Sequence, residues 1–371
     1  MPETFDLVFR GGGIKGIAFL GALDRLHKEK HVTRRLIGTS AGAIFATGWA
    51  AGYSPDEIKA RVTERQDGKL IFASFLSTAK RPDPIPEIVW KPLASTSDNT
   101  VKRVLKMFPK IDADRAEGWG AKSLALTLGG ALCEDRQFRD WMAGILKGKG
   151  FDADVTLKDF HAKINKVRPQ QLTLVAADIT SQEVLLLNER TTPDLPVLEA
   201  VRMSMGIPFV WKEMVWKAAW GKYRGLDIKD HQIVDGGLLS NFPMRYFLDE
   251  QFLKADGAIG PPPGGGNART VGLMLDGMKN PADLPEGKES DHLIESLPAV
   301  RLASKLLDTL LDTWDKEAMR HFIPEGKQSQ HICRIATKGF GALEFDMTDE
   351  RVKVLINAGQ CAMTDFLAGF R

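Results

Sequence analysis

The segment LVFRGGGIKGIAFLG, Leu7 to Gly21, limits this chain more than any other. An apolar run suited to a buried strand ends in three consecutive glycines, and an apolar-periodic segment follows. That is the pattern of a strand, a tight loop and a helix. A loop without side chains lets a ligand come close to backbone N–H groups, and a helix N-terminus behind it favours an anion. Gly11, Gly13 and Gly16 fit G-x-G-x-x-G, the dinucleotide-binding spacing. The question is which anion the loop serves.

The rest of the chain reads as alternating strands and helices. Phe5–Arg10 is the first strand and Ile17–Glu29 the first helix, with Phe19, Leu20, Leu23 and Leu26 on one face. Leu36–Thr39 is a short strand that runs into the small-residue helix Ala41–Ala51. Ser54, Pro55 and Glu57 form the start of another helix, with a capping box. Residues 68–150 lose this regularity. Val101–Met107, Ser123–Cys133 and Gln137–Leu146 read as short helices of an insertion or lid. Thr156 and Asp159 suggest a second helix cap, and strands return at Leu172–Asp178 and Glu183–Asn188. A helix over Pro196–Met205 precedes strands at Phe209–Lys217 and Gln232–Asp235. Gly257–Asn267 is a Pro/Gly-rich loop, and Thr270–Leu275 and His331–Ala336 are strands. Helices over Leu297–His321 and Asp349–Phe370 complete the series. The alternation predicts an α/β fold: a mostly parallel central sheet flanked by helices, with a helical insertion.

Bulk properties narrow the function classes. With 371 residues, 43% of them hydrophobic and 26% charged, the chain can bury a large core and is not expected to be disordered. We read it as one domain over 1–371: a motif-bearing core at 5–250, the insertion at 68–150 and a C-terminal extension at 251–371. Lys+Arg 50 against Asp+Glu 48 leaves a net charge of +2, which gives no footprint for a nucleic-acid polymer. Cys133, Cys333 and Cys361 are scattered, without a C-x-x-C, so buried reduced thiols are expected rather than a disulfide framework or zinc site. Glu3 and Asp6 sit where a secretory signal would be basic. No apolar run reaches the ~18–20 residues that span a bilayer. The expectation is a soluble, cytoplasmic protein that meets membranes peripherally, with export by a route other than Sec left open.

A second motif decides between anions. A dinucleotide site wants a carboxylate at the end of the next strand to hold the ribose. Here that strand ends in GTSAG, Gly38 to Gly42, a G-x-S-x-G match. Between strand and helix this sequence forms a nucleophile elbow, with Ser40 on a strained turn and small neighbours allowing close approach. The alternative is an ordinary βα turn. Under the elbow reading, the backbone amides of Gly11, Gly12 and Gly13 could hold the oxyanion of acyl transfer. A donor of this kind is worth about 3–4 kcal/mol. Lys15 and the helix N-terminus would add positive potential. A P-loop is excluded because Ile17 and Ala18 stand where Lys and Ser/Thr are required.

Ser40 needs a base. None of the seven histidines lies in a marked motif, and His27 and His31 read as surface residues at the end of the first helix. Asp235 is the better candidate. In QIVDGGLLSNFP a strand ends in a carboxylate followed by Gly236 and Gly237, although a plain Asp–Gly turn would look the same.

GGGIKG, GTSAG and DGG, in that order, resemble the patatin-like phospholipase family. ADIT at Ala177–Thr180 and SMGIPFV at Ser204–Val210 extend the resemblance over roughly Phe5–Phe247. It implies a Ser–Asp dyad without histidine: Ser40 as nucleophile, Asp235 as base, and Gly11, Gly12 and Gly13 in the oxyanion loop. Gly16, Gly38, Gly42, Gly236 and Gly237 support the motifs. Lys15 stands where the family often has Arg, which keeps the charge and loses the bidentate geometry. The implied reaction is hydrolysis of glycerophospholipid or lysophospholipid acyl esters through an acyl-enzyme, with no metal or other cofactor. Membrane phospholipid would be the substrate. Bacterial effectors and antiphage phospholipases occur among such proteins, so an activator (a cyclic nucleotide or a protein) or self-association would fit residues 68–150 or 251–371. Two further readings differ in kind: an oxidoreductase using GGGIKG, which would bind NAD(P) or FAD, and a catalytically silent lipid- or nucleotide-binding protein, which would not react with a fluorophosphonate.

For membrane contact, Trp211, Trp216 and Trp220 alternate with Lys212, Lys217 and Lys222. A strand with buried alternate residues is favoured over an interfacial belt. Phe72–Phe75 and Ile85–Trp90 are better placed to form a lid or an acyl groove.

Overall fold

A computed structural model describes residues 2–66, 68–75, 131–133, 135–282, 319–323, 326–342, 344 and 347–369. Its centre is an eight-stranded mixed sheet. We number these strands β1 (Thr4–Phe9), β2 (Val32–Thr39), β3 (Gln171–Asp178), β4 (Glu183–Leu187), β5 (Met214–Val215), β6 (Gln232–Asp235), β7 (Arg269–Asp276) and β8 (Ile332–Ala336). They run in the order β8-β7-β1-β2-β3-β6-β5, with β4 also paired to β3. β8, β7, β1, β2 and β3 are parallel. β4, β5 and β6 enter antiparallel.

Burial on both faces explains the apolar strands. Phe5, Leu7 and Phe9 of β1 join one core, while Val8 joins a second on the opposite face with Ile37, Val175 and Phe242. The first core is roofed by α1 (Phe19–Lys28), α2 (Ala41–Ala50) and α3 (Pro55–Val62). It is completed by α4 (Arg136–Gly148), α5 (Leu157–Val167), α6 (Val197–Ser204) and α7 (Asp349–Ala368). α3 starts with the predicted capping box, Ser54 accepting from Glu57 N–H and Glu57 accepting from Ser54 N–H. Thr156 caps α5 through the N–H of Asp159. α7 crosses α1 at Gly21 and Gly359. A Cβ on Gly21 would overlap the Ile356 carbonyl oxygen, and one on Gly359 would overlap that of Ala18. The helices therefore touch backbone to backbone.

Several expectations are corrected. A 3₁₀ turn, Gly13–Ala18, precedes α1, so the first helix begins later than its apolar period suggests. Phe209–Lys217 is two short strands in different sheets: Phe209–Trp211 pairs with Ala131–Cys133, and β5 pairs with β6. The end of the expected helix Ser123–Cys133 is thus strand, its earlier part lying outside the described residues together with Val101–Met107 and Ile85–Trp90. Most of Leu297–His321 also lies outside them. The His31 side chain is buried against the Phe5 ring and accepts the Glu3 N–H, whereas Cys361 is exposed. Trp211, Trp216 and Trp220 are all buried and form no interfacial belt, but only Trp211 lies in a strand: Trp216 follows β5 and Trp220 ends a 3₁₀ turn, so strand alternation is not what buries them.

Candidate active site

The sheet brings two distant segments end to end. β4 pairs with residues Leu174–Asp178 of β3 and so occupies one edge of that strand. β2 pairs with Gln171–Val175, and β6 with Ala176–Asp178. Both must lie along the other edge. β2 is parallel to β3 and β6 antiparallel, so they run toward each other and stop at adjacent rungs, Thr39 opposite Val175 and Asp235 opposite Ala176. The next residue after β2 is Ser40.

Ser40 has φ 56° and ψ −124°, an unfavourable conformation for a residue with a side chain. Such strain costs of order 1–3 kcal/mol and persists only where surrounding structure enforces it. The enforcement is visible. A Cβ on Gly38 would overlap the Gly42 carbonyl, and a Cβ on Gly42 would overlap the Phe9 carbonyl, so neither position tolerates a larger residue. The Ser40 N–H donates to Ser204 Oγ at 3.0 Å, and that hydroxyl donates to the Val175 carbonyl at 2.6 Å. Thr39 Oγ1 donates to the Ser240 carbonyl at 2.9 Å, tying the end of β2 to the segment after β6. α2 begins at Ala41, so the positive end of its dipole lies at Ser40.

Asp235 is buried and held by two hydrogen bonds. Its N–H donates to the Gly206 carbonyl at 3.0 Å, and its Oδ1 accepts the Gly237 N–H at 2.7 Å. A Cβ on Gly236 would overlap the Val175 carbonyl. Oδ2 is buried and makes no hydrogen bond of ordinary length and angle. The Ser40 hydroxyl is nevertheless near enough to favour the carboxylate. Catalytic hydrogen bonds are often loose before substrate binds. Burial pushes the Asp235 carboxyl up to about 7. The Ser40 hydroxyl, the Gly237 N–H and the charge of Arg202 oppose that rise only in part. Arg202 is itself buried, with Nε on Asp135 Oδ2 at 2.8 Å and Nη2 on the Lys212 carbonyl at 2.9 Å.

The glycine loop abuts this pair. A Cβ on Gly11 would lie 3.2 Å from Ser40 Cβ and would overlap the Asn241 side-chain oxygen. The Gly11 N–H is already given to the Asn241 carbonyl at 2.9 Å. Among the described residues, no acceptor takes the N–H of Gly12 or Gly13. Gly13 has φ 58°, and the N–H of Ile14 donates to the Ala342 carbonyl at 2.9 Å. Gly16 passes close to α2, where a Cβ would come within 2.9 Å of the Phe45 ring. Lys15 is half-buried.

A small, mostly apolar pocket opens at Gly13 and Ser40. Ile44 and Phe45 of α2, Phe72, Phe75, Ile207 and Trp211 form much of its wall. Ser40 supplies the one hydroxyl among its described lining residues. Among the described residues, no three His, Cys, Asp or Glu gather to hold a metal ion. No described helix is long and apolar enough to cross a membrane.

The Patatin-like phospholipase family matches residues 7–248, a span that runs from the glycine loop through Asp235. The chain belongs to this family. Its patatin-like fold is the mixed, mostly parallel sheet flanked by helices described above. A Bacillus subtilis protein described as uncharacterized protein YqhO is 30% identical over 96% of this chain and 95% of its own length. A protein of Invertebrate iridescent virus 6, described as a probable lipid hydrolase, is 23% identical over 64% of this chain and 61% of its own length. Among solved structures, VipD from Legionella pneumophila aligns with a TM-score of 0.48 at 15% identity, covering 99% of this chain and 67% of VipD. The type III effector protein ExoU aligns with a TM-score of 0.43 at 16% identity, covering 99% of this chain and 53% of the ExoU chain.

Sequence reasoning missed four supports of this patatin-like site: Thr39, Arg202, Ser204 and Asn241. Ser204 and Gly206 fall in the SMGIPFV stretch, whose resemblance was visible but whose task was not. Ser204 reaches Ser40 across 164 positions, and Thr39 reaches Ser240 across 201. No periodicity or motif spacing reports contacts of that range.

Proposed function

We propose that this patatin-like protein is an acyl hydrolase of glycerophospholipids or lysophospholipids, with Ser40 as nucleophile and Asp235 as the base. Family membership and a viral relative described as a probable lipid hydrolase support lipid hydrolysis in general. The observation that carries the finer reading is the meeting of a strained Ser40 with a buried carboxyl raised to about 7, one of whose oxygens has no hydrogen bond. A base with a pKa near the working pH is suited to proton transfer.

In this reaction Ser40 Oγ attacks the ester carbonyl carbon while Asp235 Oδ2 takes the hydroxyl proton. The carbonyl oxygen becomes an oxyanion and accepts from the N–H groups of Gly12 and Gly13. Gly11 shapes the loop, since its own N–H is spent on Asn241. The intermediate collapses, the C–O bond to the glycerol oxygen breaks, and Asp235 returns the proton to that leaving oxygen. Asp235 then removes a proton from water, whose oxygen attacks the Ser40 ester; the acyl C–Oγ bond breaks, Asp235 returns the proton to Ser40 Oγ, and the fatty acid leaves. The apolar pocket beside Ser40 suits the acyl chain, while the polar headgroup stays toward solvent and the membrane surface.

Fatty-acid release from phospholipid vesicles tests this. Ser40→Ala and Asp235→Asn should each abolish release while the protein stays folded, and only the parent should be labelled at Ser40 by a fluorophosphonate. A Ser40→Ala protein that released fatty acid at the parent rate would sink the proposal.

A further inference from the structure

The glycine loop is fixed by a segment that lies beyond the residues matched by the family. Between β8 and α7 the chain passes through Ala342, whose carbonyl accepts the Ile14 N–H at 2.9 Å. It presses so closely on Gly13 that a Cβ there would overlap the Ala342 oxygen. Ile14 N–H and the Gly13 carbonyl share one peptide plane, so this bond sets ψ of Gly13. A run of three glycines has little conformational preference of its own. Its peptide planes, and hence the direction of its N–H groups, must be fixed from outside.

Arg351, in the first turn of α7, holds that outside segment at two points. Its Nη2 donates to the Gly339 carbonyl at 2.7 Å and to Glu344 Oε2 at 2.9 Å, and its Nε donates to Glu344 Oε1 at 2.6 Å. Glu344 Oε2 also accepts the Gly341 N–H at 3.1 Å. The guanidinium lies 4.3 Å from the centre of the Phe340 ring. Both side chains of the pair are largely buried, at 13% and 5% exposure, so the two-pronged bond is shielded from water. Ala342 lies between the two clamped points.

We infer that the Arg351–Glu344 pair is a positioning element for the reaction: by clamping Gly339 and Gly341 it holds the Ala342 carbonyl on Ile14 and so aims the Gly12 and Gly13 N–H groups at the carbonyl oxygen of the substrate. The inference rests on the proposed role of the glycine loop. It gives the C-terminal segment a part in catalysis, although neither residue of the pair touches substrate.

The test uses the full chain and a soluble p-nitrophenyl ester, with rates expressed per site titrated by fluorophosphonate, so that unfolded protein does not count. Arg351→Met should lower kcat about tenfold or more with KM changed less than about twofold, because misaimed donors weaken the transition state more than substrate binding. The phosphonylation rate should fall in parallel, and hydrogen exchange at the Ile14 amide should accelerate. Arg351→Lys keeps the charge but loses the fork and should give an intermediate kcat; it decides the matter if Arg351→Met does not fold. Parent-like kcat in a folded variant, or a change confined to KM, overturns the inference. Ser40→Ala assayed alongside separates the two proposals. If it stays active, the catalytic reading itself fails. If it is inactive while the Arg351 variants keep parent kcat, the clamp alone is wrong.

Discussion

At the scale of single residues, Asp235 carries two opposed demands. As the proposed base it must be charged, yet its surroundings favour the neutral acid. Its carboxyl titrates near 7 in the folded chain, against about 3.9 for an unperturbed aspartate. The folded state therefore holds a proton that the unfolded state has lost across that window. The stability from this group is fully present below about pH 4 and is lost as pH rises through about 7. About three units correspond to roughly 4 kcal/mol. Asp235→Asn removes the titration, so its stability relative to the parent should increase between pH 4 and pH 8 by up to about 4 kcal/mol, read from urea unfolding at each pH. A difference that does not vary with pH would contradict the assignment. Activity should run the other way: kcat/KM of the parent should climb with pH through about 7 as the base deprotonates. On the proposed mechanism, stability and activity trade against each other at this one side chain. Asp235 was marked in the sequence by the DGG that follows it. Its raised pKa was not legible there, because the cause is burial among residues from other elements.

At the scale of elements, close backbone approach is the recurring device. Gly38 against Gly42, Gly42 against Phe9, and Gly21 against Gly359 let a strand, a helix start and two helices meet without intervening side chains. The α1–α7 crossing is the simplest to probe. Gly359→Ala would gain about 1 kcal/mol of helix propensity in an exposed helix. Here its methyl would overlap the Ala18 carbonyl, and overpacking costs typically about 1–3 kcal/mol, occasionally more. We expect Gly359→Ala to be less stable than the parent, by about 1–2 kcal/mol in urea unfolding, and a more stable variant would show that the crossing can relax. Most elements were legible: β1, β2, β6, α2 and the capped starts of α3 and α5 lie within a few residues of their sequence readings. Phe209–Lys217 was not, because a short apolar run does not say which sheet each half will join.

At the scale of the whole molecule, the two ends of the irregular region 68–150 do not stand apart from the core. Phe72 and Phe75 on one side, and Phe138 and Met142 of α4 on the other, pack into the core that α1 and α2 roof. Phe72 and Phe75 also line the pocket beside Ser40, where a lid or acyl groove was expected. If the pocket receives the acyl chain, narrowing it should discriminate by chain length. Ile44→Trp on α2 should lower kcat/KM for a long-chain p-nitrophenyl ester at least about tenfold more than for the acetate ester. Equal losses on both esters would argue that the chain binds elsewhere. The expected scale is that of overpacking a filled site, of order 1–3 kcal/mol.

The sequence alone determined the local units: a glycine loop ending a buried strand, a serine at a strained strand-to-helix turn, an aspartate before paired glycines, and the order in which they occur. Such signals are set by short-range sterics and by hydrogen bonds within a few residues, so they survive in a linear reading. Tertiary structure alone decided that β2 and β6 run head to head along β3 and bring Ser40 to Asp235. It also decided that Ser204 holds the elbow, that Asn241 takes the Gly11 N–H, and that a carbonyl from the C-terminal region fixes Gly13. These partners are chosen by packing across the sheet, and sequence distance carries no record of that choice.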